Sequence, residues 1–450
     1  MTSRFIDRQE ELDFLEKRID SESFELILIY GRRRVGKTEL VKEAVKDQDH
    51  IYHLVVEEEG SKQLESLVED VSRDDSFRPD IDEWEGFFRY FSSDFQQTTL
   101  VVDEFPRLVE EDDSIPSRFQ KFVDEYLKDS ENTLILTGSS IGMMEELMSY
   151  ENPLYGRRTG QIDLKPFGFR QARKMLSGAI EQKIKYYSIF GGTPFYLNQV
   201  EPDKNLKENI RDQICDNNSI LNQEPRMLVR EEFRKPNRYL SIMESVAEGR
   251  TTPKQISDDT NIPLQSISKY LNQLKNIRLL EHEKPVTERN KRSRNGIYRI
   301  KDNFFSFWFR YIYPHISDVI EDPDKFVETG ISGLNSFCGE KFEQVCRELI
   351  RSKDYPKTGR WWYREEEIDI VGLNEKRSKI LLGEAKWRKE KTGIKTYHKL
   401  KEKSEKVRWK NEERQEKYAL FSRSGFTEEL REKEGDNLEL YDPSRLKKNF

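Results

Sequence analysis

Gly31-Arg32-Arg33-Arg34-Val35-Gly36-Lys37-Thr38 fits G-x-x-x-x-G-K-[ST] and follows directly on the apolar run Leu26–Tyr30. This pattern restricts the fold severely. A strand must deliver the glycine-containing loop and a helix must begin where it ends, because loop and helix N-terminus together point free N–H groups at phosphate oxygens. Glu39, Leu40, Val41, Ala44 and Val45 continue with helical spacing. Lys37 is then expected to reach the β- and γ-phosphates of ATP, and the Thr38 hydroxyl to sit on Mg²⁺. Arg32, Arg33 and Arg34 add positive potential beside the phosphates, with some of them facing solvent.

A phosphate loop of this kind works with a second, acidic site. Thr99-Leu100-Val101-Val102-Asp103-Glu104 reads as a buried strand ending in two acids. Asp103 is expected to hold Mg²⁺ through water, and Glu104 to polarise the water that attacks. The apolar run Thr133–Thr137 leads into Gly138-Ser139-Ser140. Thr137 or Ser139 is placed to sense the γ-phosphate, a plain turn being the other reading. Short apolar strands alternating with amphipathic stretches predict an α/β fold with a parallel sheet.

Further segments carry a resemblance: Arg4-Phe5-Ile6-Asp7-Arg8-x-Glu10-Glu11-Leu12, Asp103-Glu104-Phe105-Pro106, Leu136-x-Gly138-Ser139-Ser140, Leu154-Tyr155-Gly156-Arg157-Arg158 and Phe190-Gly191-Gly192-Thr193-Pro194-x-Tyr196-Leu197. With the phosphate loop they resemble the archaeal ATPase family of AAA-type/STAND-related P-loop proteins, densely over residues 3–235 and less tightly beyond. The resemblance implies that Asp7 and Arg8 border the adenine and that the Gly-Gly-x-Pro block lies in a small helical lid. It also implies a γ-phosphate arginine, Arg157 or Arg158, acting in cis or from a neighbouring subunit. A homo-oligomer is therefore among the expected assemblies.

Between residues 236 and 300 the pattern predicts three helices and then two strands joined by a basic loop. Thr252-Pro253-Lys254-Gln255 has capping-box spacing. In the third helix Leu264, Ile267, Leu271 and Leu274 share one face, and Gln265, Ser266, Ser268, Lys269, Asn272 and Gln273 lie opposite. Arg289, Lys291, Arg292 and Arg294 populate the loop. This outline is that of a winged helix, in which Gln265, Ser266, Lys269 and the loop cations would meet nucleic acid. An internal packing module with the same outline is the alternative. The aromatic run Phe304-Phe305-Ser306-Phe307-Trp308-Phe309 is read as an anchor to a neighbouring module rather than a base-stacking surface.

Residues 333–390 contain a helix with Glu340 and Glu343, then Glu367-Ile368-Asp369-Ile370-Val371, then Leu382-Gly383-Glu384-Ala385-Lys386-Trp387. This resembles the PD-(D/E)xK nuclease fold. The resemblance implies that Asp369 and Glu384 bind Mg²⁺ and that Lys386, on the same strand face as Glu384, orients or deprotonates a water. Glu343 would complete the metal shell, with Glu340 the weaker candidate. Several lysines follow, from Lys389 to Lys403.

The expected architecture is an α/β P-loop NTPase with a helical lid, a winged helix and a C-terminal α/β restriction-endonuclease-like domain. The boundaries are read as 1–164, 165–235, 236–330 and 331–450. The net charge of −7 conceals a split, with about −15 on residues 1–235, +5 on 236–300, −3 on 301–330 and +6 on 331–450. No apolar run reaches the ~20 residues of a membrane-spanning helix. Cys215, Cys338 and Cys346 have neither metal spacing nor a disulfide framework, which suggests a cytoplasmic protein. Two functions are expected: an ATPase coupled to nucleic-acid binding and phosphodiester cleavage, or a nucleotide-controlled switch whose nuclease-like domain only recognises structure.

Overall fold

The computed structural model describes residues 5–57, 60–72, 79–290, 295–352 and 354–450. The chain forms two compact units, Met1–Pro166 and Phe167–Phe450.

The first unit is built on a five-stranded parallel sheet. Its strands are β1 (Glu25–Tyr30), β2 (His50–Leu54), β3 (Thr99–Asp103), β4 (Thr133–Gly138) and β5 (Gly160–Asp163), in the order β2-β3-β4-β1-β5. The three apolar runs legible in the sequence are β1, β3 and β4, each buried along its whole length. β2 and β5 escape a reading by apolar pattern because both are short edge strands. β2 carries two histidines, and β5 is Gly-Gln-Ile-Asp.

Side chains alternate across the sheet. Ile27, Ile29, Val101 and Ile135 meet Leu12 and Leu15 of α1 (Gln9–Ile19) and Leu40 and Val41 of α2 (Lys37–Val45) on one face. Leu26, Leu28, Leu100, Val102, Leu134 and Leu136 pack on the other, with α3 (Gly60–Val71) and the aromatic α4 (Trp84–Asp94). Phe87, Phe88 and Phe91 of α4 are fully buried, each contributing about 2 kcal/mol. Register brings Tyr30 beside Gly138 and places Val102 beside Leu136. The phosphate loop, Asp103 and Ser139 therefore all leave the sheet at its carboxyl edge, where open parallel sheets bind ligands.

In the second unit α5 (Ile180–Phe190) ends at Gly191, before Thr193-Pro194 starts a short helical turn. Then come α6 (Pro236–Ala247), α7 (Pro253–Thr260) and α8 (Leu264–Asn276), and an antiparallel pair, β6 (Leu280–Glu283) with β7 (Ile297–Ile300). The capping box at the start of α7 is formed, Thr252 and Gln255 exchanging side-chain and backbone bonds. On α8, Ile267, Leu271 and Leu274 are buried as expected. Leu264 is not: it is 52% exposed, because it occupies the first helical position, beyond the edge of the core. Phe304, Phe305, Phe307, Trp308 and Phe309 are wholly buried, and the Trp308 indole donates to the Asn222 carbonyl at 2.8 Å. They anchor the core, and no ring is free to stack on a base.

A second sheet has the order β12-β11-β10-β9-β8, formed by β8 (Lys357–Tyr363), β9 (Glu366–Asn374), β10 (Lys379–Lys386), β11 (Gln415–Ser422) and β12 (Leu438–Tyr441). β8, β9 and β10 are antiparallel, and β10, β11 and β12 parallel. α9 (Leu334–Ile350) covers one face, sharing a continuous core with α5, α6 and α8. α10 (Ile394–Ser404) belongs to the core on the other face. Among the described residues, no helix is long and apolar enough to cross a membrane.

Candidate nucleotide site and a second acidic cluster

β1 ends at Tyr30 and the chain turns at Gly31, where a Cβ would lie 2.2 Å from the Leu164 carbonyl oxygen, so no side chain fits. Gly36 adopts φ 94° immediately before α2, a conformation that favours glycine. Between them Arg32 and Val35 are buried, Arg34 is half-buried and Arg33 exposed. Arg8 braces the loop from outside. Its Nη2 donates to the carbonyls of Val35 at 3.3 Å and Lys165 at 2.5 Å, while Nη1 meets Glu11 at 3.1 Å. Asp7 and Arg8 both have positive φ, 61° and 72°, which turns the chain into this position.

Lys37 is buried, and its ammonium donates to the carbonyls of Gly31 (3.0 Å) and Arg32 (3.4 Å) and to Ser139 Oγ (2.8 Å). Burial lowers its pKa, and the charges of Glu104 and Asp103 oppose that shift. Thr38 Oγ1 donates to Asp103 Oδ2 at 2.9 Å. Tyr52 donates to the same oxygen, while Thr137 and the Glu104 N–H (3.1 Å) donate to Oδ1. Glu104 has φ 60°, rare for a side-chain-bearing residue, and its carboxylate accepts the Ser139 N–H at 3.0 Å and the Ser139 hydroxyl. Of the two sensor candidates, Ser139 therefore joins Lys37 to Glu104, and Thr137 fixes Asp103.

The two arginine candidates differ. Arg157 forms a two-pronged pair with Asp124, Nε and Nη2 each 2.8 Å from a carboxylate oxygen, and its Nη1 donates to the carbonyls of Pro153 (2.8 Å) and Tyr155 (3.2 Å). These contacts commit its donors to its own surroundings, against the expectation that it serves the γ-phosphate in cis. Arg158 is half-buried.

The second acidic cluster lies where α9 crosses β9 and β10. Carboxylate oxygens of Glu343, Glu367 and Asp369 lie within 4.8 Å of one another, a spacing that suits one metal ion. Glu367 and Asp369 share a face of β9 because strand side chains repeat every second residue. Asp369 Oδ2 accepts the Ala385 N–H at 3.0 Å. Glu384, expected as a metal ligand, lies outside this group of three. Two ammonium groups pair with it, Lys386 at 2.8 Å and Lys403 at 3.2 Å. Glu340, the weaker metal candidate, pairs instead with Arg310 at 3.0 Å. Arg347 and Arg360 approach Glu343 at 3.7 and 3.5 Å, and Arg360 also bonds Glu367.

The electrostatics follow from crowding of acids in a half-buried site. Burial, then the Asp369 charge, pushes the Glu343 carboxyl up to about 7. Burial, then Glu384, raises Asp369. Burial works against the Lys386 charge, but the field and hydrogen bond of Glu384 outweigh it and raise its pKa.

Residues 5–200 match the family model described as "ATPase domain predominantly from Archaea", and residues 308–405 match one described as "Archaea bacterial proteins of unknown function". Uncharacterized protein MJECL04 of Methanocaldococcus jannaschii is 36% identical over 421 residues, 90% of this chain and 92% of that protein. The chain belongs to this archaeal ATPase family. Uncharacterized ATP-binding protein MJ0423 of the same organism is 48% identical over 44 residues, 10% of this chain and 75% of that protein. Among solved structures, the Walker-type ATPase PABY2304 of Pyrococcus abyssi aligns with TM-score 0.49 at 20% identity, covering 68% of this chain and 96% of that one. The ADP form of Aeropyrum pernix ORC2 aligns with TM-score 0.39 at 11% identity, covering 74% and 96%.

In this archaeal ATPase, Gln265, Ser266 and Lys269 are exposed on α8, as is Arg289 after β6. Lys291, Arg292 and Arg294 lie outside the described residues. Five residues at the two sites were assigned no such contact from the sequence: Tyr52 on Asp103, and Glu367, Arg347, Arg360 and Lys403 at the second cluster. Glu367 alone left a usable signal, its two-residue spacing from Asp369.

Proposed function

We propose that this ATPase binds and hydrolyses Mg-ATP in its first unit and uses the nucleotide to control nucleic-acid binding and phosphodiester cleavage by its second. The observation that carries the first part is the linked set Lys37–Ser139–Glu104 and Thr38–Asp103 at the carboxyl edge of the parallel sheet. The hard oxygens of Thr38 and Asp103 suit Mg²⁺. Those two residues would hold the ion, which when bound neutralises charge on the β- and γ-phosphates. Lys37, already stripped of water, exchanges carbonyl contacts for phosphate oxygens, and the loop N–H groups bind the rest. Ser139 releases Glu104, whose carboxylate then orients the attacking water and draws on its proton. Glu104→Gln is expected to retain ATP and to lose turnover. Equal loss of binding would sink this assignment.

We read α6–α8 with the β6–β7 pair as a winged helix and the β8–β12 sheet with α9 as a nuclease-like module, with boundaries near 235/236 and 330/331. Glu343, Glu367 and Asp369 supply the oxygen donors that Mg²⁺ or Mn²⁺ prefers. A bound ion would polarise the phosphodiester, Lys386 would position the water, and Glu384 would hold Lys386 in place. Gln265, Ser266, Lys269 and Arg289 would carry the nucleic acid.

A second reading, a nucleotide-dependent switch without cleavage, is favoured by one observation: Glu343 and Glu384 already have cationic partners. One experiment separates the two. Nucleotide-dependent cleavage of DNA or RNA with Mg²⁺ or Mn²⁺, lost in Lys386→Ala, supports the nuclease. Absence of cleavage, with assembly size that follows Lys37→Ala, supports the switch.

A further inference from the structure

We propose that Arg360 is a resident counter-cation of the Glu343–Glu367–Asp369 cluster, which a divalent metal must displace and which swings onto the phosphodiester arriving with that metal. This inference rests on reading the cluster as a metal site. Backbone geometry aims the side chain there. The β8–β9 pairing steps from Gly359 opposite Val371 to Trp361 opposite Ile368, so β9 carries one extra residue and sets both Asp369 and Ile370 opposite the buried Arg360 (9% exposed). A bulge of this kind re-aims the side chains of the bulged strand, here Asp369 beside Arg360. The Arg360 carbonyl also accepts the Val286 N–H at 2.8 Å, fixing the strand from its outer edge.

The guanidinium then occupies what a metal needs. Arg360 Nη2 bonds Glu367 and lies 3.5 Å from Glu343 Oε2, so one nitrogen engages two of the three candidate ligands. Charge makes the competition sharper. The cluster's carboxylates already have cationic neighbours in Arg347, Arg360, Lys386 and Lys403. A divalent ion entering among them meets repulsion as well as attraction. A phosphodiester offers the displaced cation a new partner, and arginine suits the exchange because its planar fork fits phosphate as well as carboxylate.

The test is Mn²⁺ binding to the nucleotide-free, full-length protein, followed by titration calorimetry, with Asp369→Asn as the blank. Arg360→Gln is expected to tighten Mn²⁺ by about tenfold, and Arg360→Lys, which keeps the charge, to stay near the wild type. In the wild type, a non-cleavable phosphorothioate oligonucleotide is expected to tighten Mn²⁺, and that gain should shrink in Arg360→Gln. Equal or weaker Mn²⁺ binding by folded Arg360→Gln overturns the proposal. So does independent binding of Mn²⁺ and oligonucleotide to the wild type, a comparison that stands even where the variant fails to fold. Loss of the cleavage reading with these metal results intact leaves Arg360 in this role. Cleavage with Mn²⁺ affinity indifferent to Arg360 does the reverse.

Discussion

Arg157 and Arg158 are neighbours in sequence, yet their substitutions should fail in opposite ways. Arg157→Ala removes the two-pronged pair with Asp124 and two bonds to the Pro153 and Tyr155 carbonyls. Asp124 is 43% exposed, so solvent screens the pair and holds its contribution to at most about 1 kcal/mol. The carbonyl bonds add about 1 kcal/mol each, for a total of about 2–3 kcal/mol. In a unit of this size each kcal/mol moves the melting temperature by about 2–4 °C, so a drop of about 5–10 °C is expected. ATP turnover per folded molecule should stay within about twofold of wild type. Arg158→Ala should leave melting within about 0.5 kcal/mol of wild type, as surface changes do, and lower turnover by about 10³-fold if Arg158 serves the γ-phosphate. Both variants are assayed by thermal melting and by turnover at saturating ATP on the same preparations. An Arg157→Ala protein that melts normally but has lost turnover would refute the division of roles.

Lys37→Ala should abolish binding of a fluorescent ATP analogue, because its buried ammonium holds both the loop carbonyls and Ser139. Glu104→Gln should bind that analogue normally and turn over ATP about 10²–10⁴-fold more slowly, measured by phosphate release. Tyr52→Phe removes one of four donors to Asp103 and should cost about 1 kcal/mol in chemical denaturation while ATP binding survives. A Lys269→Gln/Arg289→Gln pair should lower the salt dependence of DNA binding by about two phosphate contacts in a filter or anisotropy titration. An unchanged slope would remove α8 and the loop after β6 from the interface.

The first site was legible because its chemistry is local. A loop, a helix start and two acids at a strand end are fixed by sequence neighbours, so Gly31–Thr38, Asp103, Glu104 and Ser139 could be named without coordinates. Tyr52 could not. Its hydroxyl reaches Asp103 only because β2 pairs with β3, and β2 is too short and polar to be recognised as a strand. The Arg157–Asp124 pair was not legible either, because a pair of arginines after Gly156 says nothing about Asp124, 33 residues earlier in the chain. The second cluster shows the same limit. Asp369 and Lys386 follow from strand spacing, whereas Arg360 depends on how β8 pairs with β9 and Lys403 on where α10 is laid. Neither leaves a periodic trace.

The division into two units also changes what the charge means. With the boundary after Pro166, the first unit holds about −18 of the net charge and the second about +11, a wider split than the sequence blocks suggested. Polyanion binding is sensitive to cations that touch phosphate, and distant charges are screened within about 8 Å at physiological salt. On the proposed reading, nucleic acid would meet the basic second unit, and the acidic first unit would leave its phosphate loop to ATP, whose charge Lys37 would meet at close range.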